Sequence, residues 1–169
     1  MRAKPLALGG VLAALAVVLL LLGGMIPVGT YAAPMLAALP LTVLLAELPR
    51  RLCAVWYAVT AMLAILLCPD RETAFVFVFL GWYPILRPAL DRLPRLPRLL
   101  CKLLIFNAAV AALYALLILV FRLEALVNEA RETGTALLIV LLLLGNLSFL
   151  LFDLVLRRMT ALYERKRKK

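Results

Sequence analysis

The sequence predicts an all-α integral membrane protein, a six-transmembrane-helix bundle with both termini on the cytoplasmic side (N-in/C-in). Three observations carry that expectation. Apolar residues fill 66 % of the 169 positions and charged residues only 17 %, too few to cover a soluble domain of this size. The apolar residues fall in long runs separated by short charged stretches, an arrangement that needs a hydrocarbon solvent. Basic residues alternate between rich and poor connecting segments, as a fixed orientation in a bilayer requires.

The first run, Leu6–Ile26, has 21 residues and rises about 31 Å as a helix, a full hydrocarbon thickness. Arg2 and Lys4 ahead of it, and Tyr31-Ala32-Ala33 beyond it, imitate a signal peptide. The run exceeds the usual signal core of about 7–15 residues, so it is expected to be a retained span closed by Pro27. The second span covers 31–48, with Pro34 near its start and Pro40 inside it. Pro40 removes one backbone hydrogen bond and is expected to kink the helix. The third span is 52–68, after Arg50 and Arg51. The fourth, 73–86, is short and is interrupted by Pro84 and Pro88, with Arg87 placed to snorkel to the interface. The fifth is 99–121 and the sixth 135–156, so residues 1–156 read as one membrane domain. Residues 157–169 form a basic cytoplasmic tail ending in Arg165-Lys166-Arg167-Lys168-Lys169.

With the N-terminus inside, the inner segments hold sixteen of the nineteen basic residues. The outer loops hold Arg71, Arg122 and Arg131, outnumbered by Asp70, Glu72, Glu124, Glu129 and Glu132. Six spans satisfy the positive-inside rule at every loop, whereas four or eight break it. Trp56, Tyr57, Trp82 and Tyr83 fall toward cytoplasmic span ends, where amphipathic rings favour the headgroup level. The inner connector Asp91-Arg92-Leu93-Pro94-Arg95-Leu96-Pro97-Arg98 repeats a Leu-Pro-Arg step. Its prolines are expected to exclude a regular helix, leaving either a connector lying on the lipid or a docking surface for a cytoplasmic partner.

The residue inventory excludes several chemistries. The net charge of +10 sits beside apolar spans, where anionic lipid accounts for it, so no nucleic-acid partner is expected. The chain has no histidine, and Ser148 is its single serine. A Ser-His hydrolase and a His-based intramembrane metalloprotease are thereby ruled out, and no catalytic residue is assigned. Cys53, Cys68 and Cys101 show no metal-ligand spacing, so neither metal nor cofactor is expected and the thiols read as small apolar fillers. Glu47 precedes Arg51 by four residues and Asp153 precedes Arg157 by four, the spacing of ion pairs on one helix face. Asp153 also carries a proton-coupling alternative, because carboxylates within spans are functional candidates.

A sparse polar set lies inside the spans: Thr60, Asn107, Tyr114, Asn146 and Ser148. An amide at that depth needs a partner, from another helix or from a ligand. Asn107, at a similar depth to Asp153, is expected to bond to it as a polar intramembrane pair. The first span carries small residues at helical spacing, Gly9 with Ala13 and Gly10 with Ala14. Such a ridge lets another helix approach closely, within the bundle or from a second membrane protein.

Six short spans with both ends inside resemble the substrate-binding S component of bacterial energy-coupling factor vitamin transporters. Gly9-Gly10-Val11-Leu12-Ala13-Ala14 resembles the first-helix ridge that packs on the coupling subunit in that family. Met25-Ile26-Pro27, leading to a loop that ends near Pro34, resembles the outer loop that caps the ligand site. Members of that family carry polar residues on the outer halves of spans 4 to 6. Here span 4 offers Phe75-Val76-Phe77-Val78-Phe79 and span 5 mainly Tyr114, so a ligand is expected to be largely apolar or aromatic.

The resemblance implies a cytoplasmic-membrane protein that captures a small molecule from outside and works with a coupling membrane subunit and ATPases. Tyr31, Phe79, Tyr114 and Asn146 would line the outer cavity, and Gly10 and Ala14 would face the coupling subunit. A non-transporting scaffold of the same six-helix architecture, similar to MreD-like morphogenesis proteins, is the second expectation. An ion-coupled carrier using Asp153 is the third.

Overall fold

In hydrocarbon a backbone must satisfy its own polar groups, so each apolar run coils into a helix. The computed structural model describes residues 3–26, 29–119 and 124–167, with 3–5, 117, 124–138, 164, 166 and 167 as backbone only. Among these, α1 (Ala3–Gly23), α2 (Gly29–Ala38), α3 (Pro40–Glu47), α4 (Arg50–Leu67), α5 (Arg71–Leu80), α6 (Tyr83–Leu90), α7 (Arg95–Leu119) and α8 (Glu124–Arg167) follow in order. They supply six stretches long and apolar enough to cross a bilayer: Leu6–Gly23, Gly29–Glu47, Arg50–Leu67, Arg71–Leu90, Arg95–Leu116 and Ile139–Tyr163. Pro27, Phe121, Arg122, Arg2, Lys168 and Lys169, each given a role by the sequence reading, lie outside the described residues. The outward faces of the spans are apolar, with Val11, Leu15 and Leu22 of α1 and Leu100 and Leu104 of α7 all exposed. A water-soluble monomer does not carry such a surface; a bilayer covers it. The chain is a multi-pass membrane protein.

Two spans are built from paired helices, and local chemistry explains each break. Pro40 cannot donate, so α2 gives way to α3 around Leu39, whose N–H turns to the Leu36 carbonyl at 3.1 Å. The fourth span breaks at Gly81-Trp82, before Pro84, and then runs on to Leu90 with Pro88 inside it. It therefore extends beyond the expected limit at Leu86. Its start is also earlier: Asp70 caps α5, its carboxylate accepting from the backbone N–H groups of Glu72 and Thr73 at 3.1 Å each.

The inner connector is shorter than the sequence suggested. α7 starts at Arg95, and Pro97 sits in its first turn, where the missing N–H would have had no intrahelical partner in any case. Only Asp91–Pro94 remain outside regular helix. The expected tail is helical as well, since α8 continues to Arg167.

α1 packs on α2 and α4, α2 on α5, α5 on α7, and α3 on α8. Trp56 Nε1 donates to the Gly9 carbonyl at 2.8 Å, Tyr163 to Glu47 at 2.8 Å, and Arg87 to Thr160 at 3.2 Å. These bonds gather the starts of α1 and α4 and the last turns of α3, α6 and α8 at one end of the bundle, called here the basic end. At the opposite end α1 and α2 approach closely: a Cβ added to Gly23 would overlap the Ala33 methyl and lie 3.1 Å from the Gly29 carbonyl. The core of the bundle includes Leu20, Leu41, Leu44, Phe77, Phe149 and Leu156, with the Phe106 and Phe149 rings stacked at 4.8 Å.

The aromatic belt is corrected by this packing. Trp56 and Tyr83 are buried, Tyr57 donates its hydroxyl to the Val78 carbonyl, and Trp82 Nε1 donates to the Phe79 carbonyl at 2.7 Å. Trp56, Tyr57 and Tyr83 each bring a polar atom that another element satisfies, so their apolar bodies can pack inside without loss. Half-buried Trp82 instead uses a carbonyl three residues before it.

Candidate ligand cavity and inner ion cluster

A cavity of about 500 Å3 opens between α2, α5, α7 and α8. Its deeper walls are apolar: Val76 and Leu80 from one face of α5, Phe106 and Leu113 from α7, and Leu141 and Gly145 from α8. Ser148 contributes the single serine of the chain to its lining. Its other end, remote from the basic end, is framed by the two phenols Tyr31 and Tyr114. Tyr31 donates to Glu72 Oε1 at 2.6 Å and Tyr114 donates to the same oxygen at 3.0 Å, while the two hydroxyls are 2.7 Å apart. Two protons serve three contacts, so the hydroxyls and the carboxylate form one network joining α2, α5 and α7. A space of this size, walled by hydrocarbon with a few convergent polar groups at one end, has the anatomy of a small-molecule site.

Two of the four residues expected at this cavity line it, Tyr31 and Tyr114, and two do not. Phe79 is displaced because α5 turns Val76 and Leu80 toward the space instead. Asn146 is committed elsewhere. Its Oδ1 accepts from Asn107 Nδ2 at 2.8 Å, and its own Nδ2 donates to Asn107 Oδ1 at 3.2 Å and to the Leu142 carbonyl at 2.8 Å. Asn107 Nδ2 completes the symmetry on the Leu103 carbonyl at 2.8 Å. The expected Asn107–Asp153 pair is thus replaced by an amide–amide clasp, in which each amide meets its own complement of donor and acceptor.

Asp153 has stronger company. It is buried at the basic end, where Lys102 Nζ reaches both of its oxygens at 2.9 Å and Tyr83 donates to Oδ1 at 2.6 Å. Arg157 lies 2.9 Å from Oδ2, forming the pair expected from the i,i+4 spacing, and Arg87 Nε lies 3.5 Å from Oδ1. Asp91 closes the group, 2.8 Å from Lys102 and 3.2 Å from Arg87. Three cations, two carboxylates and a phenol from α6, α7, α8 and the turn after α6 are therefore tied together. Lys102 is only 1 % exposed, so its ammonium depends entirely on these partners. The other expected pair, Glu47 with Arg51, is absent among the described salt bridges. The helix ends at Leu48 and restarts after Pro49, so the two residues share no helix face, and Glu47 accepts from Tyr163 instead.

The small-residue ridge of α1 divides. Gly9 is buried against Trp56 and Ala13 packs against the core, whereas Gly10 and Ala14 face outward, with open space beside Gly10. Glu72, Lys102 and Tyr83 are the candidate-site residues that the sequence did not single out. Lys102 had a signal, a lysine inside an apolar run. Glu72 read as an outer-loop charge because the Asp70 cap that starts α5 two residues earlier was not used. Cys53, Cys68 and Cys101 are unpaired thiols, the first two buried. Compared with known proteins, the chain matches no family model, no curated protein and no solved structure.

Proposed function

We propose that this chain is a membrane substrate-binding subunit of the S-component kind. In this reading both termini are cytoplasmic, and a small, largely apolar or aromatic molecule enters from the outer side. It is passed inward with a separate coupling subunit and ATPases. The observation that carries the reading is the cavity of about 500 Å3, apolar in its depth and framed by Tyr31 and Tyr114. A filled bundle would have favoured a scaffold. The mouth framed by Tyr31 and Tyr114 lies toward the end remote from Arg50, Arg51, Arg87 and Lys102, all assigned to the cytoplasm, the side from which capture is expected. The outward Gly10–Ala14 face of α1 offers a coupling subunit a close approach. The reading gives no residue a catalytic role, and the power stroke belongs to partners because the sequence holds no ATP-binding motif.

Native mass spectrometry of the mildly extracted protein tests it. A bound molecule of low mass is expected, together with co-purified ATPase and coupling subunits. Val110→Phe, which places a ring in the cavity, is expected to remove the bound molecule and leave the bundle folded. A protein that carries no small molecule in either form, yet retains membrane partners without ATPases, would place it with the scaffolds.

A further inference from the structure

A second concavity lies at the basic end of the bundle, between α7 and α8. It encloses about 460 Å3 and changes character along its length. At one end stand four cations, Arg95, Arg98, Lys102 and Arg157, against the single carboxylate of Asp153. Lys102 and Arg157 are held by Asp153 and Asp91. Arg95 and Arg98, both in the first turn of α7, have no carboxylate within ion-pair distance among the described residues. Away from the charges, the wall is a row of leucines on α8: Leu147, Leu150, Leu151 and Leu154. Their spacing of three, four and seven puts them on one face of a helix.

That row belongs to a stretch fit to cross a bilayer, and Leu147, Leu151 and Leu154 are 54 %, 55 % and 46 % exposed. Hydrocarbon must cover them, so an acyl chain is the natural occupant of the apolar part. The two arginines then select the headgroup. We propose that the groove binds one anionic phospholipid, its phosphate held by Arg95 and Arg98 and an acyl chain lying along the leucine row. A zwitterionic lipid brings its own ammonium to the same place and meets two unneutralised guanidiniums, whereas an anionic headgroup meets only attraction. Bound there, the lipid would brace α7 against α8 beside the buried ion cluster. The inference is independent of the cavity and of what it binds.

The test is native mass spectrometry of the full chain in mild detergent, with phosphatidylglycerol and phosphatidylcholine of matched chain length at equal concentration. Phosphatidylglycerol is expected to be retained preferentially. Arg95→Gln with Arg98→Gln should lower its retention on the order of tenfold, and Arg95→Gln alone should give an intermediate loss. Arg95 is exposed and Arg98 half-buried, and neither joins the buried ion cluster, so an unchanged melting temperature is expected to accompany the loss. Arg50→Gln with Arg51→Gln removes two exposed charges from the same end of the bundle, outside the groove, and should leave retention unchanged. Val110→Phe should leave it unchanged too. Equal retention of the two lipids, or equal loss with the Arg50/Arg51 variant, overturns the proposal. Displacement of the lipid by millimolar inorganic phosphate, at any chain length, would assign the groove to a soluble anion instead.

Discussion

Asp153 and Lys102 show how far one side chain's role depends on neighbours that arrive from other helices. The lysine is buried with its ammonium on two carboxylates, and removing a partner from such a pair strands a charge where water cannot reach it. Lys102→Met is therefore expected to destabilise the protein by about 3–5 kcal/mol, read as a lowered melting temperature in detergent. Adding Asp153→Leu should recover much of that loss, because both charges are then gone; no recovery would mean that the cluster's value lies outside this pair. At the other end of the bundle, burial pushes the Cys68 thiol up, and the nearby Asp70 carboxylate adds to the shift. A raised thiol means less thiolate at a given pH, so maleimide labelling of Cys68 should be slow at neutral pH. It should keep rising through and beyond the ordinary thiol range, and a plateau within that range would contradict the shift.

Among the elements, proline and glycine decide where helices stop and how closely they meet. Pro97 lies in the first turn of α7, where no hydrogen bond is lost. Pro97→Ala should thus leave helix content by circular dichroism unchanged and shift stability by less than about 0.5 kcal/mol. Gly23 is different, since any side chain there collides with Ala33 of α2. Gly23→Ala is expected to force α1 and α2 apart at a cost of about 1–3 kcal/mol, visible as a lower melting temperature. The contrast comes from position. A proline at a helix start replaces a donor with nothing to donate to, whereas a glycine at a helix crossing supplies space that no rearrangement of one rotamer restores.

For the whole molecule, six apolar stretches and a strongly asymmetric charge distribution are the basis of the proposed orientation, with both termini cytoplasmic. Reporter fusions at residue 1 and residue 169 should both report the cytoplasm, and a reporter inserted at Asp70 should report the outside. A split result between the two termini would mean an odd number of crossings. The lopsided charge also gives the bundle two chemically distinct ends: a basic one that holds the ion cluster and the leucine groove, and an opposite one where Tyr31 and Tyr114, tied to Glu72, frame the cavity.

The spans were legible in the residues themselves, because hydrocarbon admits helices of one length and excludes charge from them, and that rule acts on each segment alone. Pro40 as a break and Asp153 with Arg157 as a pair were legible for the same reason, being local in the chain. Partners brought from distant segments were not. Asn107 meets Asn146 rather than Asp153, Tyr83 turns from the interface to a buried carboxylate, and Val76 takes the place expected of Phe79. Each outcome depends on the rotation of one helix about its axis relative to another, which small differences in side-chain fit decide and no single span encodes. The sequence by itself determined that the chain crosses a membrane and where it does so. The cavity, the ion cluster and the leucine-lined groove exist only once the helices are packed.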